Sequence, residues 1–178
     1  MNPITLLQKY TVDNPRLYEI LLGHSRAVCD KAIAIIERKK LDIDRQFVEE
    51  AAMLHDIGVV RCNAPSICCF GSQPYICHGV EGRAILEAEG LPRHALVCER
   101  HTGSGISAAQ IETQDLPLPR RDMLPLSLEE KLICYADKFF SKSRQLNQEK
   151  SIEKIISQMQ GHGPEVCERF IQLHSMFG

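Results

Sequence analysis

The chain of 178 residues lacks tryptophan altogether, and aromatic residues make up only 6% of it. It has no apolar run near the ~18 residues that a membrane-spanning helix needs, so no membrane span is predicted. The first residues, MNPITLLQKY, show no basic stretch followed by an apolar one, so no secretory signal is predicted and a cytoplasmic location is expected. The formal net charge is −2 and no five like charges stand together, so non-specific nucleic-acid binding is not expected.

The composition is that of an ordinary globular protein, with 44% hydrophobic and 25% charged residues. A chain of this length fits one domain and can bury roughly 70% of the surface that its unfolded form exposes. It therefore needs neither disulfides nor a structural metal in order to fold. We predict a single domain over residues 1–178, with a core at about 15–145 and C-terminal helices at 151–176. The sequence indicates no oligomeric state.

Eight cysteines are a high count for such a chain. Four stand singly in helical patterns and are predicted to be small core residues. The other four fall within sixteen residues, and no pair of them has the C-x-x-C spacing of a zinc site: Cys62, Cys68, Cys69 and Cys77. We predict unpaired thiols in a loop, in a reducing compartment, and no metal ligand among them; a metal or redox role is the alternative.

Apolar residues recur at three- and four-residue spacing in several stretches, which predicts an all-α bundle of about six to eight helices. The three helices that form the core are expected at residues 15–38, 45–57 and 127–145. Residues 59–77 and 103–126 show no such period and are predicted to be long loops. We expect no sheet of three or more strands.

Each of the three core helices has a residue that favours a helix start. Asn14 precedes Pro15, Asp44 precedes the second helix, and Ser127 with Glu130 forms the S-x-x-E pattern of a capping box. These residues accept hydrogen bonds from the first backbone N–H groups of a helix, which otherwise lack partners.

Several charged or titratable residues lie on the apolar faces of these helices. They are His24, His55, Asp56, His101 and Asp137. A buried carboxylate without a partner costs several kcal/mol or loses its charge. For any one of the histidines, a hydrogen-bonded core position is the alternative. Together they predict a metal site, and imidazole with carboxylate suits zinc, iron, manganese or nickel.

In this order the residues resemble the HD-domain metal-dependent phosphohydrolase superfamily. The matching motifs are His24, H-D-I-G from His55, H-G-V-E-G from His78, E-R-H-T-G around His101, and Y-A-D-K around Asp137. The resemblance covers about residues 15–145, and the set of six is similar to that of bacterial dinuclear HD hydrolases. The double His followed by G-Y-P of cyclic-dinucleotide phosphodiesterases is absent, so that activity is set aside.

The resemblance implies an HD-type helical bundle that holds one or two divalent ions of iron, manganese, zinc or nickel. One ion would be held by His24, His55, Asp56 and Asp137. Asp56 would bridge to a second ion, held also by His78 and His101.

The resemblance also implies a metal-dependent phosphohydrolase in which a metal-activated water attacks phosphorus and Asp56 is the catalytic carboxylate. The expected partner is a small phosphorylated substrate, and we predict a nucleotide. Two other classes stay open. One is a mixed-valence di-iron oxygenase of the HD type, which would require oxygen; the other is a non-catalytic nucleotide-binding regulatory module.

Several residues are weaker candidates for contacts with the substrate. Arg61, Arg100 and Lys138 are the candidate cations, although each of them fits a solvated surface position as well. Phe70 and Tyr75 lie in the loop before His78, which we interpret as a lid that packs on the apolar part of a substrate. A surface loop with two packed aromatics is the alternative. Gly79 and Gly82 would let backbone or substrate approach closely.

Overall fold

Nine α-helices and three short strands make up the part of the chain that the computed structural model describes, residues 1–142 and 148–178. The helices are α1 (Pro3–Tyr10), α2 (Pro15–Lys39), α3 (Arg45–Leu54), α4 (His78–Ala88), α5 (Pro92–Arg100), α6 (Ala108–Thr113), α7 (Leu128–Asp137), α8 (Ile152–His162) and α9 (Pro164–Phe177). The strands are β1 (Cys62–Ala64), β2 (Cys69–Phe70) and β3 (Gln73–Pro74). Within these residues, no helix combines the length and apolar character needed to cross a bilayer.

The long helix α2 lies at the centre of the bundle and packs on α3 and α7. Its buried face follows the helical period, with Leu17, Leu21, Val28, Ala32 and Ile35 on one side. The largest hydrophobic cluster joins this face from Val28 onward to apolar residues of α3, α7, α8 and α9, and a second cluster joins α1, α4 and α5. The all-α prediction is confirmed, because helices supply both of these clusters.

The predicted helix starts at Asn14 and Asp44 are confirmed. Asn14 Oδ1 accepts from the N–H of Leu17 at 3.0 Å, and Asp44 Oδ1 accepts from the N–H of Phe47 at 3.0 Å. The predicted capping box before α7 forms only in half. Ser127 Oγ accepts from the N–H of Glu130, but the Glu130 carboxylate accepts from the N–H of Leu126 and from Arg100 instead of closing the box.

The expectation of no three-stranded sheet is wrong. In the segment predicted as a loop, β1 pairs antiparallel with β2 and parallel with β3. The strands have two or three residues each, which is too short for an alternating pattern to show in the sequence. The segment also holds 3-10 turns at Pro65–Ile67 and Tyr75–Cys77. The segment therefore has regular structure of its own, and Ile67 and Cys69 pack it against Leu17 and Leu21 of α2.

Two helices, α1 and α6, were not predicted, so the described residues hold one helix more than the upper bound of eight. The start of α6 carries a complete capping box of Ser107 and Gln110. Two of the predicted core helices end early. The 45–57 helix stops at Leu54 and passes into a 3-10 turn at Ile57–Arg61, and α7 stops at Asp137, while residues 143–145 of that prediction lie outside the described part. The single-domain boundaries stay a prediction.

Gly58 brings the 3-10 turn into backbone contact with α4. A Cβ placed on Gly58 would lie 2.0 Å from the carbonyl oxygen of His78 and 2.2 Å from the nitrogen of Gly82. No side chain fits at this position, because the atoms it would meet are backbone. The contact holds the start of α4, and with it His78, close to the turn that follows Asp56.

The Gly58→Ala variant is expected to lose about 3 kcal/mol or more of unfolding free energy, because the added methyl group forces two backbone segments apart. Urea denaturation followed by circular dichroism measures this loss. Gly161→Ala is the matched control: Gly161 lies in α8 with open space around it, so that variant should be as stable as the parent or slightly more stable. Equal stability of the Gly58→Ala variant and the parent would contradict the close contact.

Candidate metal centre

Six buried histidine and aspartate side chains converge where five helices meet. His24 comes from the middle of α2, and each of the other five lies at or next to a helix end: His55 and Asp56 after α3, His78 at the first residue of α4, His101 after α5 and Asp137 at the last residue of α7. The helix ends direct these side chains into the interior of the bundle. All six residues predicted as metal ligands are brought together.

The first group of ligand atoms lies between α2, the end of α3 and the end of α7. His24 Nε2 is 2.9 Å from Asp137 Oδ1 and 3.2 Å from Asp56 Oδ2. His55 Nε2 is 3.0 Å from the same oxygen of Asp56. The four residues each offer one ligand atom within 4.8 Å of the others, which is the spacing of donors around one ion.

The second group shares Asp56 and uses its other oxygen. Asp56 Oδ1 is 3.3 Å from His101 Nε2 and 3.6 Å from His78 Nε2. The two histidine Nε2 atoms are 3.1 Å apart. Asp56 is the residue common to both groups, and each of its carboxylate oxygens faces one of them.

Backbone carbonyls fix the orientation of three of the imidazole rings. The Nδ1 atoms of His55, His78 and His101 lie 2.7, 2.7 and 2.8 Å from the carbonyl oxygens of Ala52, Tyr75 and Cys98. A carbonyl only accepts, so each Nδ1 carries the proton that it donates. In the neutral ring the Nε2 lone pair is then directed into the cluster, which is the arrangement found in metal-binding histidines.

The cluster leaves buried polar atoms without hydrogen bonds. Both oxygens of Asp56 and Nε2 of His55 have no aligned hydrogen-bond partner among the described residues, although charged neighbours lie within contact distance. The Nε2 atoms of His78 and His101 face one another, and in the neutral rings two lone pairs would repel there. A cation between these atoms would satisfy them all, so the donor set fits divalent metal ions.

Burial favours the neutral form of each histidine, whereas nearby carboxylates favour the protonated form, and the balance differs between the rings. Burial opposes a charge on His55, but the carboxylates of Asp56 and Asp137 outweigh it and raise the pKa of His55 to about 9. Burial and the nearby His101 lower the pKa of His78 to about 3. Burial also lowers the pKa of His101. His78 is therefore a neutral donor at neutral pH, whereas His55 holds a proton that a metal must displace.

The cations predicted for substrate contacts already have partners. Arg61 forms an ion pair with Glu81 at 3.0 Å, and Arg100 binds both carboxylate oxygens of Glu130. Lys138 is buried, so the solvated position that was its alternative is wrong. Its Nζ lies 2.6 Å from Asp137 Oδ2 and donates to the carbonyl of His101 at 3.0 Å. Lys138 therefore supports the cluster from within the fold.

The two aromatic candidates differ in their surroundings. The Tyr75 ring stacks on the His78 ring, with centroids 4.8 Å apart, so Tyr75 borders the cluster. The side chain of Phe70 is 73% exposed on β2. The loop that carries both residues also holds the four clustered cysteines, whose thiols are free, and both groups of ligand atoms consist of histidine and aspartate.

One charged residue at the cluster was missed by the sequence analysis. Lys142 Nζ lies 2.7 Å from Asp56 Oδ2. If α7 continued to residue 145 as predicted, Lys142 would lie five positions past Asp137 and face away from it. Because α7 ends at Asp137, the chain leaves the helix direction and brings Lys142 back to the cluster. The only trace in the sequence is the four-residue spacing of Lys138 and Lys142.

Metal uptake by the metal-free protein is expected to release a proton, because His55 is protonated near pH 7 and must lose that proton before it can bind an ion. The affinity should therefore rise with pH, by up to about tenfold per unit, and level off above the His55 pKa of about 9. Titration calorimetry with Mn²⁺ in buffers of different protonation enthalpy measures both effects. Equal affinities on the two sides of that pKa would show that His55 is not the proton source.

Comparison with known proteins places the chain among its relatives. The HD domain family model matches residues 21–142. The chain is 31% identical over 160 residues to a Methanocaldococcus jannaschii protein that is named only as uncharacterized, and the match covers 88% of this chain and 86% of that protein. No solved structure matches the present chain significantly.

Two further relatives are named as tRNA (cytidine(56)-2'-O)-methyltransferases. The one from Thermoplasma volcanium is 29% identical over 173 residues, or 96% of this chain and 44% of that protein. The one from Picrophilus torridus is 31% identical over 137 residues, or 76% of this chain and 36% of that protein. The chain thus spans less than half the length of either methyltransferase. With its family match over most of the sequence and its buried His/Asp cluster, the chain belongs to the HD domain family.

Proposed function

We propose that the protein is a metal-dependent phosphohydrolase that acts on a small phosphorylated substrate. The position of Asp56 carries this proposal, since its two carboxylate oxygens face two separate groups of ligand atoms. Such a carboxylate can bridge two ions. His24, His55, Asp56 and Asp137 would hold one ion, and Asp56, His78 and His101 the other.

Bound divalent ions polarise a phosphoryl oxygen and lower the pKa of a coordinated water. The residues around the site would orient the metal ligands and balance their charge for this chemistry. Carbonyl bonds to Nδ1 keep the rings of His55, His78 and His101 in one orientation. Lys138 offsets the charge of Asp137 from the side away from His24, because it pairs with Oδ2 while His24 contacts Oδ1. Asp56 is the proposed catalytic residue because both ligand groups depend on it.

A nucleotide is the substrate that we propose to test first. The Tyr75 ring at the edge of the cluster supports this choice, since an aromatic face suits a planar base. Two of the relatives are named for a reaction on tRNA, which also supports a compound containing a nucleotide. The methyl transfer of those longer proteins is not part of the proposal. The cytoplasmic location and the absence of a nucleic-acid partner stay predictions.

The fully loaded protein is expected to hold two ions, and a partly loaded preparation one. Asp56→Ala should lose both ions because it removes the shared carboxylate, whereas His101→Ala should lose mainly the second. Elemental analysis of the purified variants measures this, with His162→Ala, at the exposed end of α8, as the histidine control. Full metal content and activity in the His101→Ala protein would leave a mononuclear site.

Hydrolysis of phosphomonoesters, phosphodiesters and nucleotides by the metal-loaded protein tests the proposed activity. His55→Ala should lower the rate at least about a hundredfold, since loss of a ligand exceeds the usual effect of losing a residue that only orients one. The assays are run with and without oxygen. A reaction that requires oxygen would support the di-iron oxygenase class, and nucleotide binding without turnover would support a regulatory module.

A further inference from the structure

Lys142 forms an ion pair with the carboxylate that both ligand groups share. Its Nζ lies 2.7 Å from Asp56 Oδ2, and the lysine side chain is only 13% exposed. The same oxygen faces His24 at 3.2 Å and His55 at 3.0 Å. The ammonium group therefore lies beside the oxygen that the first ion would use.

The cations considered from the sequence differ from Lys142 in how they are held. Arg61 and Arg100 are paired with glutamates outside the cluster. Lys138 is fixed at two points, by the Oδ2 atom of Asp137 and by the carbonyl oxygen of His101. Lys142 instead pairs with Asp56 Oδ2, the carboxylate oxygen that also faces the first ligand group. A divalent ion at Asp56 and the ammonium of Lys142 would compete for that oxygen, and their like charges repel.

Lys142 also lines an open cavity beside the cluster. The cavity has a volume of about 420 Å³, within the range of small-molecule sites, and its lining residues are Ala64, Ser66, Ile67, Tyr75, Ser141 and Lys142. Among the described residues, no acidic side chain lines it. The Nζ atom lies 5.9 Å from the centre of the Tyr75 ring, which in turn stacks on His78. If the ammonium group of Lys142 leaves Asp56, it can therefore move into this cavity, which lies at the edge of the proposed metal centre.

We propose that Lys142 binds the phosphoryl group of the substrate in the metal-loaded protein, and that it selects a dianionic terminal phosphate over a monoanionic phosphodiester. This inference rests on the proposed phosphohydrolase function. A phosphomonoester carries about two negative charges near neutral pH and a diester carries one, so one added positive charge attracts the monoester more strongly. Burial lowers the pKa of Lys150, a half-buried lysine that also interacts with the charges of Asp137 and Lys142, so the test has to separate its contribution.

The test compares the parent protein with Lys142→Met and Lys142→Arg. Lys39→Met, an exposed lysine at the end of α2, is the control, and Lys150→Met separates the contribution of the second lysine. Metal content is measured first by elemental analysis. The affinity of the metal-loaded proteins for inorganic phosphate is then measured by calorimetry, and kcat/KM is measured for p-nitrophenyl phosphate and bis-p-nitrophenyl phosphate.

The Lys142→Met variant should keep its metal, bind phosphate at least about tenfold more weakly, and lose at least about tenfold of its monoester-to-diester preference, because a full charge contact is gone. Lys142→Arg should recover part of both, and Lys39→Met should match the parent. Unchanged phosphate affinity and preference in a metal-loaded Lys142→Met protein would overturn the inference. So would a loss confined to the Lys150→Met variant.

The same measurements separate this inference from the proposed function. If the parent protein hydrolyses neither of these esters nor any nucleotide, while phosphate binding still depends on Lys142, the proposed hydrolysis is wrong and the anion contact stands. If the parent hydrolyses both esters and Lys142→Met changes neither preference nor phosphate binding, the hydrolase proposal stands and the role of Lys142 is wrong.

Discussion

The buried carboxylate of Asp56 is the constraint around which this bundle is organised. An unpaired charge in a protein interior costs several kcal/mol, so the fold must bring partners to it. Four imidazoles and the ammonium of Lys142 lie within contact distance, and burial that would raise the pKa of Asp56 is outweighed by His55 and Lys142, which hold it well below its usual range. Because most of these partners come from other parts of the fold, the ends of several helices and the segment after α7 have to meet at one point.

Close backbone contact makes this meeting possible. A Cβ on Gly58 would strike the backbone of α4, and a Cβ on Gly79 would lie 2.8 Å from the carbonyl oxygen of Cys98 in α5. Gly82 packs against the Cys98 side chain in the same layer. The glycines of H-D-I-G and H-G-V-E-G thus allow neighbouring segments to pack closely, because they carry no side chain. Gly79 and Gly82 were predicted to let either backbone or substrate approach closely, and the structure shows the close approach of neighbouring segments.

Local patterns predicted most of the helices, although not α1 and α6, and the inward faces, but not the contacts that depend on chain direction. Asn14 and Asp44 start their helices as expected, because a cap depends on residues three positions apart. Glu130 was expected to close such a cap, but its carboxylate instead pairs with Arg100, thirty positions away in the sequence. Lys138 was expected at a substrate contact or in solvent, and it is buried and paired with Asp137. The short strands before His78 arise from pairing within a folded segment and leave no period in the sequence.

The sequence by itself determined the helical class, the family resemblance and the six histidine and aspartate residues that meet in the interior. These follow from spacing along single helices and from ordered motifs, which are properties of the chain alone. Only the tertiary structure decided which oxygen of Asp56 faces which group, which cations are already paired, and that Lys142 returns to the cluster. Those features depend on where helices end and how their ends converge, because distances between side chains far apart in the sequence exist only in the folded chain.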